Sequence, residues 1–163
     1  MYSHILLIFV LLFFSLSMDT IAESSRTEIQ DIVLTIEAPF SSATITILGN
    51  GRIIYQAQMR GGEKMQETGV LNENQMRQLA QVLEIINFFD LKNRLQAEGD
   101  PEDGANYTIS AGIKIFSEGS PVKTIFMGTH SVTCYQDKCE EGFLKLKNTI
   151  LQIWGKDILE IGV

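Results

Sequence analysis

Three side chains in the stretch THSVTCYQDKC carry most of the chemistry available to this chain: His130, Cys134 and Cys139. An imidazole and two thiols can ligate a metal ion, and Asp137 would add a fourth donor. Structural zinc sites, however, set two short Cys or His couples apart by a longer stretch, and the sequence holds no second couple. A dithiol redox centre calls for Cys-x-x-Cys, whereas four residues separate these two cysteines. The third chemistry is a bond between the two sulfurs. An even cysteine count in an oxidising compartment makes that bond the first expectation, and closing so short a loop stabilises a fold by about 2 kcal/mol in the chain-entropy treatment. The expected state is a Cys134–Cys139 disulfide, with a metal site and a functional thiol pair as the alternatives. No metal and no cofactor are expected.

A second cluster is acidic. Asp100, Glu102, Asp103 and Asn106 in EGDPEDGAN offer oxygen donors that suit calcium. Placing Gly104 at the glycine position of an EF-hand loop, though, puts Gly99 first and Pro101 third, and neither has a ligating side chain. The segment reads as a solvated loop. Its residues Asp100, Glu102 and Asp103, in a loop over 92–106, and His130, in the disulfide-closed loop over 130–140, form the expected interaction loops. Asn106-Tyr107-Thr108 fits the N-glycosylation sequon. For catalysis the inventory is thin: beyond the N-terminal leader His130 is the one histidine, and no G-x-S-x-G, P-loop, G-x-G-x-x-G or H-E-x-x-H occurs. Paired carboxylates can do acid–base work alone, so a carboxylate-based hydrolase is the enzymatic alternative to an expected non-enzymatic protein.

The oxidising compartment is itself an inference from the first residues. Ile5 to Leu16 form an apolar run broken only by Ser15, and Thr20-Ile21-Ala22 places small residues before Glu23. A run of about a dozen apolar residues suits the hydrophobic region of a signal peptide, whereas a membrane-spanning helix needs about 20. The expectation is export to the periplasm or beyond, with residues 1–22 removed and no stable membrane span afterwards. A short uncleaved anchor is the alternative. Cleavage before Glu23 leaves 141 residues, one ordinary domain, with all 13 basic residues and 19 of the 20 acidic ones, a formal charge of −6. An acidic chain with dispersed Lys and Arg is not built to neutralise phosphates, so nucleic acid is excluded as a partner. An unidentified protein or envelope component is expected instead.

The elements that must position these groups follow from periodicity. Residues 23–30 (ESSRTEIQ) read as a flexible lead, and residues 31–156 as a single domain followed by a tail over 157–163. Ile32, Leu34 and Ile36 alternate with Val33, Thr35 and Glu37, the period of a half-buried strand. Asn50-Gly51 between two β-branched runs predicts a hairpin with a type I′ turn, and Gly61-Gly62 predicts a second turn. Asn72 with Gln75 forms a capping-box pattern, and Met76, Leu79, Ala80, Leu83, Ile86 and Phe89 make the apolar stripe of a helix over about 72–90. A hairpin over about 106–128 turns at Glu118-Gly119-Ser120. A last helix over about 140–154 points Phe143, Leu146, Ile150 and Ile153/Trp154 inward and stops at Gly155. Phe88, Phe89, Phe116, Phe126, Met127 and Trp154 are expected in the core. The class is α+β: an antiparallel sheet built from hairpins, with two packed helices.

Pro39-Phe40, the hairpin TITILGNGRIIY, Gly69, the helix LAQVLEIINFFDL and the strand in DPEDGANYTISAGIKI resemble a widespread family of exported bacterial domains of unknown function. That resemblance implies a hairpin–helix–hairpin–helix fold and supplies no catalytic residue. The order of elements is also similar to that of small bacterial protein inhibitors of thermolysin-like metalloproteases. The expected function is a binding module of unknown partner, and the likeness in layout implies the alternative, an inhibitor of a secreted, thermolysin-like protease.

Overall fold

Glycine-bearing turns punctuate runs of alternating apolar and polar residues, and that pattern lays down most of the sheet. A computed structural model describes residues 25–59, 61–93, 104–117, 123–135 and 138–155, with residues 25 and 123–126 described by backbone alone. Its strands are β1 (Ser25–Ala38), β2 (Ser41–Leu48), β3 (Arg52–Gln58), β4 (Lys64–Val70), β5 (Asn106–Ser117) and β6 (Lys123–Tyr135). Helix α1 (Glu73–Ile85) and a 3-10 turn (Phe88–Asp90) lie between β4 and β5, and helix α2 (Glu141–Trp154) follows β6. All pairings are antiparallel, and the order across the sheet is β4-β3-β2-β1-β5-β6. The expected α+β architecture is the one observed.

One face of the sheet carries the core. Ile32, Leu34 and Ile36 of β1, Ile45 and Ile47 of β2, Ile53 and Tyr55 of β3 and Ile109 of β5 are buried there against Leu79, Leu83, Phe143, Leu146 and Ile150 of the two helices. Thr149 joins them because its Oγ1–H donates to the Lys145 carbonyl at 2.8 Å, which satisfies the hydroxyl one helical turn back. Trp154 ends α2 with its ring 6.1 Å from that of Tyr55. It also lies over Gly69, where a Cβ would meet the indole at 3.3 Å, so the glycine makes room for the tryptophan.

Several expectations need correction. Ser25–Gln30, read as part of a flexible lead, is the first half of β1 and pairs with β5 from Ser25↔Ser117 onward. A register shift between Ile29 and Asp31 explains why the strand was hidden. The extra residue spaces the buried Ile29 and Ile32 by three and so erases the two-residue period. The Asn50-Gly51 hairpin forms, but its turn is not type I′: Gly51 alone has positive φ (82°), and the Gly51 N–H donates to the Leu48 carbonyl at 2.8 Å. That is a three-residue loop ending in a left-handed glycine. Gly49 N–H donates at 2.7 Å to Gln30, the extra residue of β1, so tertiary docking selects the longer loop.

Helix α1 has the expected capping box, with Asn72 and Gln75 each accepting from the other's backbone N–H at 2.9 Å. It stops at Ile85 rather than near 90, because Asn87 adopts the left-handed conformation (φ 49°) that asparagine tolerates. Val82, absent from the expected stripe, is buried with Leu79 and Leu83. The second hairpin is longer than read, since β6 runs to Tyr135 and takes in His130 and Cys134. Met127, expected in the core, is 65% exposed. The expected signal peptide over 1–22, the expected turn at Glu118-Gly119-Ser120, the Phe126 side chain and the expected tail over 157–163 lie outside the described residues.

Candidate functional site

With both helices on one face, the two-residue period of the strands sends every second side chain to the other, which no described element covers. Cross-strand pairing arranges these side chains in rows. One row runs Gln66, Gln56, Thr44, Thr35, Thr108, Thr133 from β4 to β6, and the next runs Thr68, Ile54, Thr46, Val33, Ser110, Ser131. Neither row holds an ionisable side chain, in a chain where one residue in five is charged. The rows outside them do: Lys64 and Glu37 on one side, Arg52 and Asp31 on the other. Hydrogen bonds within the face hold its side chains in place. Thr108 and Thr133 hydroxyls share one at 2.9 Å, Ser110 Oγ–H donates to Ser131 Oγ at 2.8 Å, and Gln56 Nε2–H donates to Gln66 Oε1 at 3.4 Å.

At the β2–β3–β4 end, two adjoining hollows open on this face. One of about 330 Å³ lies among Ser42, Thr44, Gln56, Gln58, Lys64 and Gln66, with Ala57 and Met65 on its flank. The other, about 390 Å³, shares Ser42 and Gln58 and extends to Glu37 and to Phe40 in the β1–β2 turn. Phe40 is 61% exposed. The composition of the strands held the signal for this face, since Thr, Ser and Gln fall at alternate positions. No reading of single strands brings them into rows.

The residues singled out by their chemistry sit elsewhere. Asp100, Glu102 and Asp103 lie outside the described residues, so the acidic surface is not placed. His130 is not on a loop. It sits in β6, half-buried against the rings of Phe88 and Phe89, with centroids at 5.5 and 6.1 Å. Its Nε2 lies 2.9 Å from the Leu91 carbonyl, and since a carbonyl can only accept, that nitrogen carries the proton and donates. An Nε2 so engaged has no lone pair for a metal. Cys134 is 1% exposed at the end of β6, on the helix face, and lies at disulfide-bonding distance from Cys139 with the Cα atoms 5.3 Å apart. The pair therefore ties the last strand to the entry of α2, beside a hydrogen bond from Lys138 N–H to the Tyr135 carbonyl at 2.9 Å. Among the described residues no group of three or more His, Cys, Asp and Glu side chains could hold a metal ion. Replacing both cysteines with alanine is expected to lower the unfolding free energy by about 2 kcal/mol. Denaturant unfolding of that variant beside wild type measures it, and a loss below about 0.5 kcal/mol would show that the tie contributes nothing.

A second pair of ionisable groups joins α2 to the sheet. Lys147 Nζ lies 4.4 Å from the centroid of the Tyr107 ring. Burial lowers the lysine pKa and raises that of the tyrosine, because each loses hydration of its charged form. Between the lowered value and the ordinary 10.5, the unfolded chain binds more protons at this lysine than the folded one, so stability rises with pH across that interval. The raised tyrosine acts in the opposite sense, and only above its ordinary 10.0. Lys147→Met is therefore expected to make the slope of stability against pH less positive in the alkaline range below the ordinary 10.5. Urea unfolding at a series of pH values reads this directly, and an unchanged slope would refute it.

No protein-family model matches the chain, and no curated protein sequence matches it. Among the described residues no helix is long and apolar enough to cross a membrane.

Proposed function

We propose that this chain is an exported, non-enzymatic binding module that engages a protein or envelope component with the open face of its sheet. The observation that carries the reading is the charge pattern of that face: two uncharged rows spanning all six strands, bordered by rows that hold Lys64, Glu37, Arg52 and Asp31. Recognition surfaces share this layout, with charge depleted at the centre, where desolvation is complete, and gathered at a wet rim. A rigid antiparallel sheet loses little conformational entropy on binding. Export is supported by the leader-like start of the sequence and by the cysteine pair at bonding distance.

Thr46→Arg tests the reading. Thr46 lies between Val33 and Ile54 in the second uncharged row, so arginine there places a charge at the centre of the face. Its cost to folding is expected to stay within about 1 kcal/mol, since the site faces solvent. Retention of components from an envelope extract on the immobilised chain is expected to fall at least about tenfold, the equivalent of 1.4 kcal/mol. Equal retention by a folded variant would remove the open face as the binding surface.

A further inference from the structure

The two hollows at the β2–β3–β4 end adjoin at Ser42 and Gln58, and taken together as one trough their side chains suit one ligand class. Cross-strand pairing places Ser42, Gln58 and Lys64 in one row and Thr44, Gln56 and Gln66 in the next. Neighbours within a row are about 4.8 Å apart, and the rows are about 7 Å apart along the strands. Five of the six side chains are amides or hydroxyls, each able to donate and to accept a hydrogen bond. The Gln56 amide donates to that of Gln66 at 3.4 Å, which sets the two side by side in their row. At the end of the trough stands Phe40, an exposed ring.

From these features we infer that the trough binds a neutral, linear oligosaccharide lying across β2, β3 and β4. The inference rests on the open face being the binding surface. Sugar hydroxyls both donate and accept, which matches the amide and hydroxyl grid group for group, and the regular strand spacing suits a polymer of repeating units. The apolar C–H face of a pyranose ring packs on an aromatic face such as that of Phe40. A polyanionic glycan or a phosphorylated ligand would require a clamp of arginines or lysines. Among the described residues the one cation lining these hollows is Lys64, and the Glu37 carboxylate lines the adjoining one. A peptide would need pockets for apolar anchors, and the six grid positions hold no apolar side chain.

Titration of the full chain with cellohexaose, chitohexaose and maltohexaose, followed by amide chemical shifts, tests the inference. At least one is expected to saturate with a dissociation constant in the millimolar range or tighter, with the largest shifts in β2, β3 and β4. The double variant Gln56→Ala/Gln58→Ala and, separately, Phe40→Ala are expected to weaken it at least about tenfold, while Asn148→Ala on the exposed side of α2 leaves it unchanged. Saturation by none of the three, or equal binding by the folded trough variants, overturns the assignment. If the hexasaccharides fail while Thr46→Arg still abolishes retention of an envelope component, the glycan falls and the binding face stands. If Thr46→Arg also retains as wild type does, both fall.

Discussion

Phe88→Ala is expected to cost about 3–5 kcal/mol of unfolding free energy, the range for deleting a fully buried phenylalanine ring. Phe88 is 0% exposed and meets Phe89 edge-to-face with centroids 5.7 Å apart. It also meets His130 edge-on, and the His130 Nε2–H bond to the Leu91 carbonyl runs just beyond. The ring therefore holds the 3-10 turn against edge strand β6, and its loss leaves a cavity that the ends of a sheet and a helix cannot close together. A second consequence is local. The Thr133 N–H, which donates to the Asn93 carbonyl at 2.9 Å, is expected to exchange with solvent faster in the variant than amides of β2 at the sheet centre. Urea unfolding and amide exchange read the two effects. A loss under about 1 kcal/mol would mean that the turn is not held by this ring.

The second large effect is expected at Gly51. Its φ of 82° lies in the left-handed region, and a Cβ there would stand 2.7 Å from the Leu71 carbonyl oxygen. The same two residues are also hydrogen-bonded: Leu71 N–H donates to the Gly51 carbonyl at 2.8 Å, tying the β2–β3 turn to the entry of α1. Gly51→Ala must relieve the clash by moving one of these segments. The expected cost is about 3 kcal/mol, from about 1–2 kcal/mol of backbone strain and the weakened bond. Gly61 supplies the control, since its φ is 107° and no described residue beyond its chain neighbours places an atom within 4 Å of its Cβ position. Gly61→Ala carries conformational strain without the clash, so Gly51→Ala is expected to be the more destabilising of the two in thermal unfolding. Equal losses would show that the Leu71 contact has no energetic role.

Much of this fold could be read residue by residue. Each feature that was legible depends on a few neighbouring residues: the Asn72–Gln75 capping box, the Gly155 stop in the left-handed conformation (φ 76°), the alternation of Ile32, Leu34 and Ile36. What escaped reading depends on partners far along the chain. The first half of β1 pairs with a strand some 90 residues later, Ser25 with Ser117, and its own period is broken by the extra residue at Gln30. The turn at Asn50-Gly51 takes its longer form because Gly49 docks on that same bulge.

The candidate site divides in the same way. Cys134 and Cys139 were conspicuous by residue type, and their closeness follows from a separation of five positions along the chain. His130 was conspicuous too, but two phenylalanines about forty positions earlier in the chain turn it into a packed, hydrogen-bonded residue. The open face was invisible for the opposite reason. Thr35, Thr44, Gln56 and Thr108 are ordinary strand residues taken singly, and they become one uncharged surface when β1 is placed between β2 and β5. Local pattern sets which residues become strand or helix, because propensity, capping and turn geometry act over a few residues. Which side chains share a face is set by strand order and register, and those are chosen by burial of the whole apolar face against the helices, a condition no short segment can satisfy alone.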